Sequence, residues 1–434
     1  MDALISLYSV QSSPRFRWAA KLFFSRAMRV NVKFYSDEQE FLKSDGIKVN
    51  YSAKCIDQTF QICPHGLLWE HQIEEQTFYT TQWNGLPIFA QRSVGDLPFD
   101  PLTASFFLAS RYEEYLPFIP DAHGRFPAQQ SFAFLEGFLE RPLINHWALA
   151  VGQLLFTPPF SLRSHYTHRA TVDIDNLFAY KGKGTLRTLG GLANDLRAFN
   201  LGKFKERLSV LFKLKKDPYD TFSKQRVWNK KHGVQAFYFM LFAEFGPKDR
   251  NVSPHSTEAA QKLRQIADWA AVGIHPSYAS NSEPEAVGKE VTALQEVLHR
   301  PIVHSRQHYL KLRMPHTFRN LLELGILHEH SMGYAELPGF RASICTPYPF
   351  YDLELEAETP LELHPFAFMD VTFLDYQKMG AQEALNQMKA LVDEVRSVGG
   401  AFESLWHNRI FSQHEPQWVG WVKVYKEFIS YARP

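Results

Sequence analysis

The sequence predicts an α/β protein whose larger part, residues 161–434, is a parallel sheet closed into a (β/α) barrel, preceded by a smaller α/β unit at residues 1–160. Three observations carry this. Strand-like and helix-like runs alternate from "RATVDID" (169–175) onward. Four of the strand-like runs end in polar residues of catalytic type, and such barrels put chemistry at the C-terminal ends of their strands. The 434 residues, 45% hydrophobic and 21% charged, suffice for two globular domains.

In the N-terminal part, "RVNVKFYS" reads as a strand, "DEQEFLKS" as a helix opened by an acidic cap, and "GIKVNYS" as a second strand. Short strands follow at "TFQIC", "QTFYTTQ" and "LPIFAQ". Asp100 caps a helix with Pro101 at its first position, and "RPLINHWALAVGQLLF" forms the helix leading out. In the barrel, the strand candidates are "RATVDID", "VQAFYFMLF", "AAVGIHPS", "IVHSRQHYL", the stretch around "HSMGYA", "ELHPFAFMD" and "AFESLWHN". Helical patterns separate several of them. One places Leu385, Met388, Leu391, Val392 and Val395 at helical spacing and stops at Gly399 and Gly400. A basic helical insertion at about 181–231, with 14 Lys/Arg against 4 Asp/Glu, interrupts the alternation. Its amphipathic runs suit a solvated insertion, a charged substrate or a membrane surface.

A net charge of +1 argues against nucleic acid as a partner. Three cysteines without a CxxC pair suggest a reducing compartment. The first residues carry Arg15, Arg17 and Lys21 where a secretory signal needs an unbroken apolar core. No stretch reaches the roughly 18 apolar residues of a spanning helix. The expectation is a cytoplasmic protein, with a weak membrane-surface contact through the basic insertion or near residues 15–29.

The strand ends bring together Asp173 and Asp175, His275 and Ser277, Arg306 and His308, and His407 and Asn408. Residues two apart on a strand share a face. One carboxylate and two imidazoles form a facial set for zinc or another divalent ion, with positions left for water and substrate. A second carboxylate beside an arginine serves as base, and a further histidine as proton donor.

In chain order, "TVDIDN", "GIHPSYAS", "SRQHYLKLRMP" and "SLWHN" resemble the motifs of the polysaccharide deacetylase family, carbohydrate esterase family 4. The resemblance covers about residues 165–430 and points to a divergent branch with an extra N-terminal domain, to which "FDPLTASFFLASRYEEYLPF" and "HGRF" are similar. It implies a distorted (β/α) barrel that removes acetyl groups from sugars with one divalent metal ion, zinc first among the candidates. It assigns Asp173 as catalytic base, Asp175 as metal ligand, His275 as first metal histidine, Arg306 as the holder of the base and His407 as general acid. Tyr309 would lend its backbone N–H to the oxyanion.

The family's second metal histidine falls near Ala279, which cannot ligate, so His308 is the candidate replacement, on the strand face of Arg306. The proline and glycine of the third motif are missing. Arg341, in a long aromatic loop, and His364, near another strand end, are candidates for substrate binding; Asp370 is a weaker one, and His304 reads as structural. The expected partner is an acetylated sugar or a polysaccharide or glycolipid precursor. Two alternatives stay open: a catalytically impaired glycan-binding protein of the same fold, and a nucleotide-sugar glycosyltransferase in which "DID" holds a cation and diphosphate.

Overall fold

The computed structural model describes residues 4–157 and 160–434. Strands β1 (Leu4–Tyr8), β2 (Asn31–Tyr35), β3 (Ile47–Tyr51) and β4 (Phe60–Ile62) form a parallel sheet in the order β2-β1-β3-β4. Strands β5 (Thr81–Trp83) and β6 (Leu86–Ile88) pair antiparallel beside it. The acidic cap is Asp37, whose side chain accepts from the Glu40 N–H at the start of Glu38–Lys43. Asp100 accepts from the N–H groups of Leu102 and Thr103, and all nine residues of the helix Pro101–Ala109 are buried. A helix apolar on every side has no solvent face to offer, so it sits inside.

The helix Pro14–Ala20 and the turns after it bury the apolar side chains that suggest a membrane contact near residues 15–29. Phe16, Trp18, Phe23 and Phe24 are core residues. Arg15 is buried and paired to the Glu356 carboxylate at 2.9 Å. Its charge therefore ties the N-terminal segment to the C-terminal half. Trp18 packs on Tyr348 and Tyr351 across the same seam, and one apolar cluster runs through both parts of the chain.

The second sheet has nine strands: β7 (Thr167–Ile174), β8 (Gln235–Met240), β9 (Ala271–Ile274), β10 (His304–Ser305), β11 (His328–Met332), β12 (Tyr348–Asp352), β13 (Ala357–Pro365), β14 (Phe368–Met369) and β15 (Ala401–His407). Their order is β12-β13-β11-β10-β9-β8-β7-β15-β14, and every neighbouring pair is parallel except β12–β13. The two ends meet through the chain itself. Pro365 of β13 pairs with Met332 of β11, while Phe368 of β14 pairs with Ser404 of β15. Between them the Ala367 N–H donates to the Glu403 carbonyl at 3.0 Å. The sheet thus curls into a barrel-like form.

Parity sets what lines the interior. On β7, Val172 and Ile174 join the outer core, while Arg169 bonds His364 of β13 and Thr171 and Asp173 bond Arg306 across the barrel. The basic insertion forms helices Gly184–Arg197, Leu201–Leu211 and Phe222–Lys231. "IVHSRQHYL" is strand only at His304–Ser305 and closes in a 3₁₀ turn over His308–Leu310, so Arg306 and His308 do not share a strand face. Among the described residues no helix is long and apolar enough to cross a membrane.

Candidate metal centre at the barrel mouth

The carboxylates of Asp173 and Asp175 meet one imidazole. Asp173 Oδ2 and Asp175 Oδ1 lie 3.7 and 3.6 Å from His275 Nε2. His275 follows β9, whose Gly273 carries no side chain because a Cβ there would lie 2.7 Å from the His304 carbonyl and 2.8 Å from the Phe239 ring. His308 reaches the same point from its turn, with Nε2 3.8 Å from Asp175 Oδ1. The ligand atoms of Asp175, His275 and His308 all lie within 4.8 Å of one another.

The other ring nitrogens are already engaged. His275 Nδ1 donates to the Arg306 carbonyl at 2.6 Å, and His308 Nδ1 donates to Asp249 Oδ1 at 2.8 Å. Each ring then presents a bare Nε2 lone pair towards Asp175. Asp175 Oδ1 and His275 Nε2 are buried and have no hydrogen-bond partner. Buried polar atoms without partners are costly, and two that converge with a third donor suit a cation that accepts all three. The residues present fit a divalent metal ion. Burial works against ionisation of Asp175, but the charge of His407, the nearby His275 ring and the charge of Arg409 outweigh it and hold its carboxyl well below the usual range.

Asp173 is fixed from behind. The fully buried Arg306 donates to Asp173 Oδ1 at 3.0 Å, to Thr171 Oγ1 at 2.6 Å and to Glu403 Oε1 at 2.7 Å. On the far side of the mouth, His407 Nδ1 donates to Asp370 Oδ1 at 2.6 Å, and Asp370 Oδ2 accepts the His407 N–H at 2.7 Å. Burial opposes the charged ring, yet Asp370 and then Asp175 overcome it and push His407 up to about 9. Below the ordinary value of 6.5 the ring is charged in both folded and unfolded chains, and the favourable pairing is fully present. It is lost as pH rises from 6.5 through about 9. Asp370→Asn in the metal-free protein is therefore expected to cost up to about 3 kcal/mol below pH 6, Asp175 supplying part of the shift, and clearly less well above pH 9, where only the neutral hydrogen bonds of Asp370 remain. Urea unfolding across that range checks it.

Asp173, Asp175, His275, His308 and His407 line one cavity of about 290 Å³, whose apolar wall is Leu310, Met369, Val371 and Leu405. Tyr309 also lines it, with φ 60° and its carbonyl accepting from Arg125 Nη1 at 2.8 Å. An outer cavity of about 400 Å³ shares Asp175, His308, Tyr309 and Arg409 and adds Lys248, Arg250 and Tyr219.

Two expected substrate residues lie elsewhere. Arg341 is buried, with Nε 2.8 Å from Glu114 Oε1, and Arg111 Nε shares that oxygen at 2.7 Å. Its charge is spent joining the aromatic loop to the N-terminal part, and it does not line the cavity. Removing the shared acid strands the buried Arg341, while Arg111 keeps Glu113 at 2.8 Å, so Glu114→Gln is expected to cost about 3–5 kcal/mol. Chemical denaturation checks this, with zinc binding unchanged. His364 sits towards the other end of the barrel, near the start of β7. Its Nδ1 accepts from Arg169 Nη1 at 3.0 Å and its Nε2 meets His328 Nδ1 at 3.1 Å. Both its nitrogens are committed there. His304, expected to be structural, belongs to the same histidine group, stacked on His328 at 4.6 Å.

Three residues that surround or back the site, Glu403, Arg409 and Asp249, are not singled out in the sequence. Glu403 shares strand parity with His407 on β15, a usable signal, whereas Arg409 lies past the strand in the 3₁₀ turn Asn408–Ser412. Asp370 was weighed only as a lesser candidate. Asp249 lies on a loop 59 residues from His308 and gives no sequence signal.

Residues 5–157 match a family model described as a family of unknown function, DUF7033; the match ends before β7 and leaves every candidate site residue outside it. No curated protein matches the chain. Similar solved structures include one assigned as a polysaccharide deacetylase from Mycobacterium smegmatis, 15% identical over 61% of this chain and 83% of that one, with a TM-score of 0.38. Another is an allantoinase, 12% identical over 73% and 92%, with a TM-score of 0.39. A third is a polysaccharide deacetylase from Bacillus cereus, 12% identical over 61% and 86%, with a TM-score of 0.28. Likenesses this distant carry no chemistry over, which has to come from the residues themselves.

Proposed function

We propose that the barrel mouth is the active centre of a metal-dependent hydrolase that removes an acetyl group from an amino sugar or from a polysaccharide or glycolipid precursor. The observation that carries this is the convergence of three bare donor atoms, on Asp175, His275 and His308, beside an arginine-held carboxylate and a carboxylate-held imidazole. The motif order described above supplies the sugar and the acetyl group. We also propose residues 161–434 as the deacetylase-type barrel and residues 1–160 as its accessory domain.

A divalent cation, zinc by ligand preference, would supply a Lewis acid that acidifies a water and polarises the acyl carbonyl. The remaining work falls to side chains. Asp173, which Arg306 fixes in place, takes the proton from the attacking water. The Tyr309 N–H would donate to the developing oxyanion, as the motif resemblance implies. His407, held protonated by Asp370, gives its proton to the departing amine or alcohol. Leu310, Met369, Val371 and Leu405 offer the acetyl methyl an apolar seat, and Asp249 orients His308.

Acetate release from N- and O-acetylated oligosaccharides by zinc-loaded protein tests this reading. Release should need zinc and fall by at least about 100-fold in Asp173→Asn, in line with the loss of a general base. Activity that survives complete removal of metal would overturn it.

A further inference from the structure

Residues 181–231 carry ten more Lys and Arg than Asp and Glu, while the whole chain sums to +1, so the rest of the protein stands at −9. The same segment holds a dense run of exposed apolar side chains. In the helix Gly184–Arg197, Leu186 at 85% exposure, Leu189, Ala193 and Leu196 recur at helical spacing and share the outward face. Phe199 at 90% and Leu201 follow at the turn, and Phe212 and Leu214 close the second helix. Lys205, Lys213, Lys215 and Lys216 are exposed among them. A helix packed on a soluble core turns its apolar stripe inward; this one turns it out.

The helices are held firmly. Arg187 Nη1 donates to the Asn251 carbonyl at 2.8 Å, and its guanidinium sits 4.0 Å from the Phe245 ring centre. Arg207 pairs with Asp195 at 2.7 Å and joins the two helices.

We propose that these two helices dock on an anionic lipid surface, their Leu and Phe side chains at the acyl boundary and their lysines against the headgroups. Charge selects this occupant. A second copy seated on the face would set one strongly basic segment against another, whereas anionic headgroups complement it. The anchoring loop around Asn251 also carries Lys248 and Arg250 into the outer cavity, to which the insertion adds Tyr219. Among the described residues Lys248 and Arg250 make no ion pair, and with Arg409 they suit a phosphate. The insertion thus contributes to the outer cavity through Tyr219 and is tied to the loop that lines it, an arrangement that suits an acylated sugar whose phosphate links it to lipid; this last clause rests on the hydrolase reading.

Sedimentation of the full chain with phosphatidylcholine vesicles, with and without phosphatidylglycerol, tests the docking. Binding should be at least about 10-fold tighter to the anionic vesicles and should weaken with salt. The exposed substitutions Leu186→Ser, Leu189→Ser, Phe199→Ser and Phe212→Ser together should remove it at least about 10-fold, with circular dichroism and zinc stoichiometry unchanged. No binding to anionic vesicles at low salt would overturn the proposal. So would full binding by the quadruple variant, or a dimer that those four changes dissociate. Vesicle binding without acetate release from any lipid-linked sugar would leave docking in place and remove the hydrolase reading. Acetate release without vesicle binding would do the reverse.

Discussion

Arg306→Met is expected to lower folding stability by about 3–5 kcal/mol, the largest effect of any single substitution around the mouth. The guanidinium is fully buried, and each of its nitrogens is used. Nη1 serves Thr171 and Asp173, Nη2 serves Glu403, and Nε donates to the His330 carbonyl at 2.9 Å. Its flat face lies 4.5 Å from the Phe239 ring centre. Methionine fills part of the volume but leaves Asp173 inside the barrel without its guanidinium and Glu403 with only the Arg169 guanidinium, at 3.3 Å. Adding Glu403→Gln to the variant should recover part of the loss, because one weakly paired charge is then gone. Arg306→Lys should fall between, since one ammonium cannot bridge both carboxylates in fork geometry. Urea unfolding of the four proteins measures this directly. Equal stability of Arg306→Met and wild type would show that the arginine holds nothing.

Asp175→Asn is expected to have the largest effect on activity. The amide keeps the shape of the carboxylate but removes the negative charge at the meeting point of His275 Nε2 and His308 Nε2. It also turns half of the ligand into an N–H donor, which repels a cation. Zinc affinity should fall by more than the roughly 10–100-fold that follows loss of a group behind a metal ligand. Asp249→Asn supplies that comparison in the same protein, because Asp249 touches the centre only through His308 Nδ1. Acetate release should vanish in Asp175→Asn and recover at raised zinc in Asp249→Asn. Equal losses in the two variants would mean that Asp175 is no more than a neighbour of the centre.

Much of the fold was legible because its elements obey short-range rules. Asp37 and Asp100 cap where capping chemistry places them, and β15 runs over "AFESLWH" as its pattern implies. Strand parity put Asp173 and Asp175 on one side, and both reach His275. What failed was information that parity does not hold. "IVHSRQHYL" looked like one strand, but only two residues pair, and His308 reaches the mouth from a turn in which Tyr309 takes φ 60°. The residue proposed to replace the ligand missing at Ala279 is thus delivered by a loop. Arg341 and His364 were misplaced for a related reason. Their type suits a binding site, but their direction depends on partners far away in the chain, Glu114 for one and Arg169 for the other. No local pattern records those contacts. Residues 15–29 look basic and apolar enough for a membrane surface, and the long-range pair Arg15–Glu356 draws them inside.

Anomalous scattering from a zinc-soaked crystal decides most directly whether the barrel mouth is a metal centre. One strong peak is expected, bonded to Asp175 Oδ1, His275 Nε2 and His308 Nε2 at about 2.0–2.2 Å. A mouth free of zinc, or a peak held instead by His328, Glu362 and His364 towards the opposite end of the barrel, would contradict it.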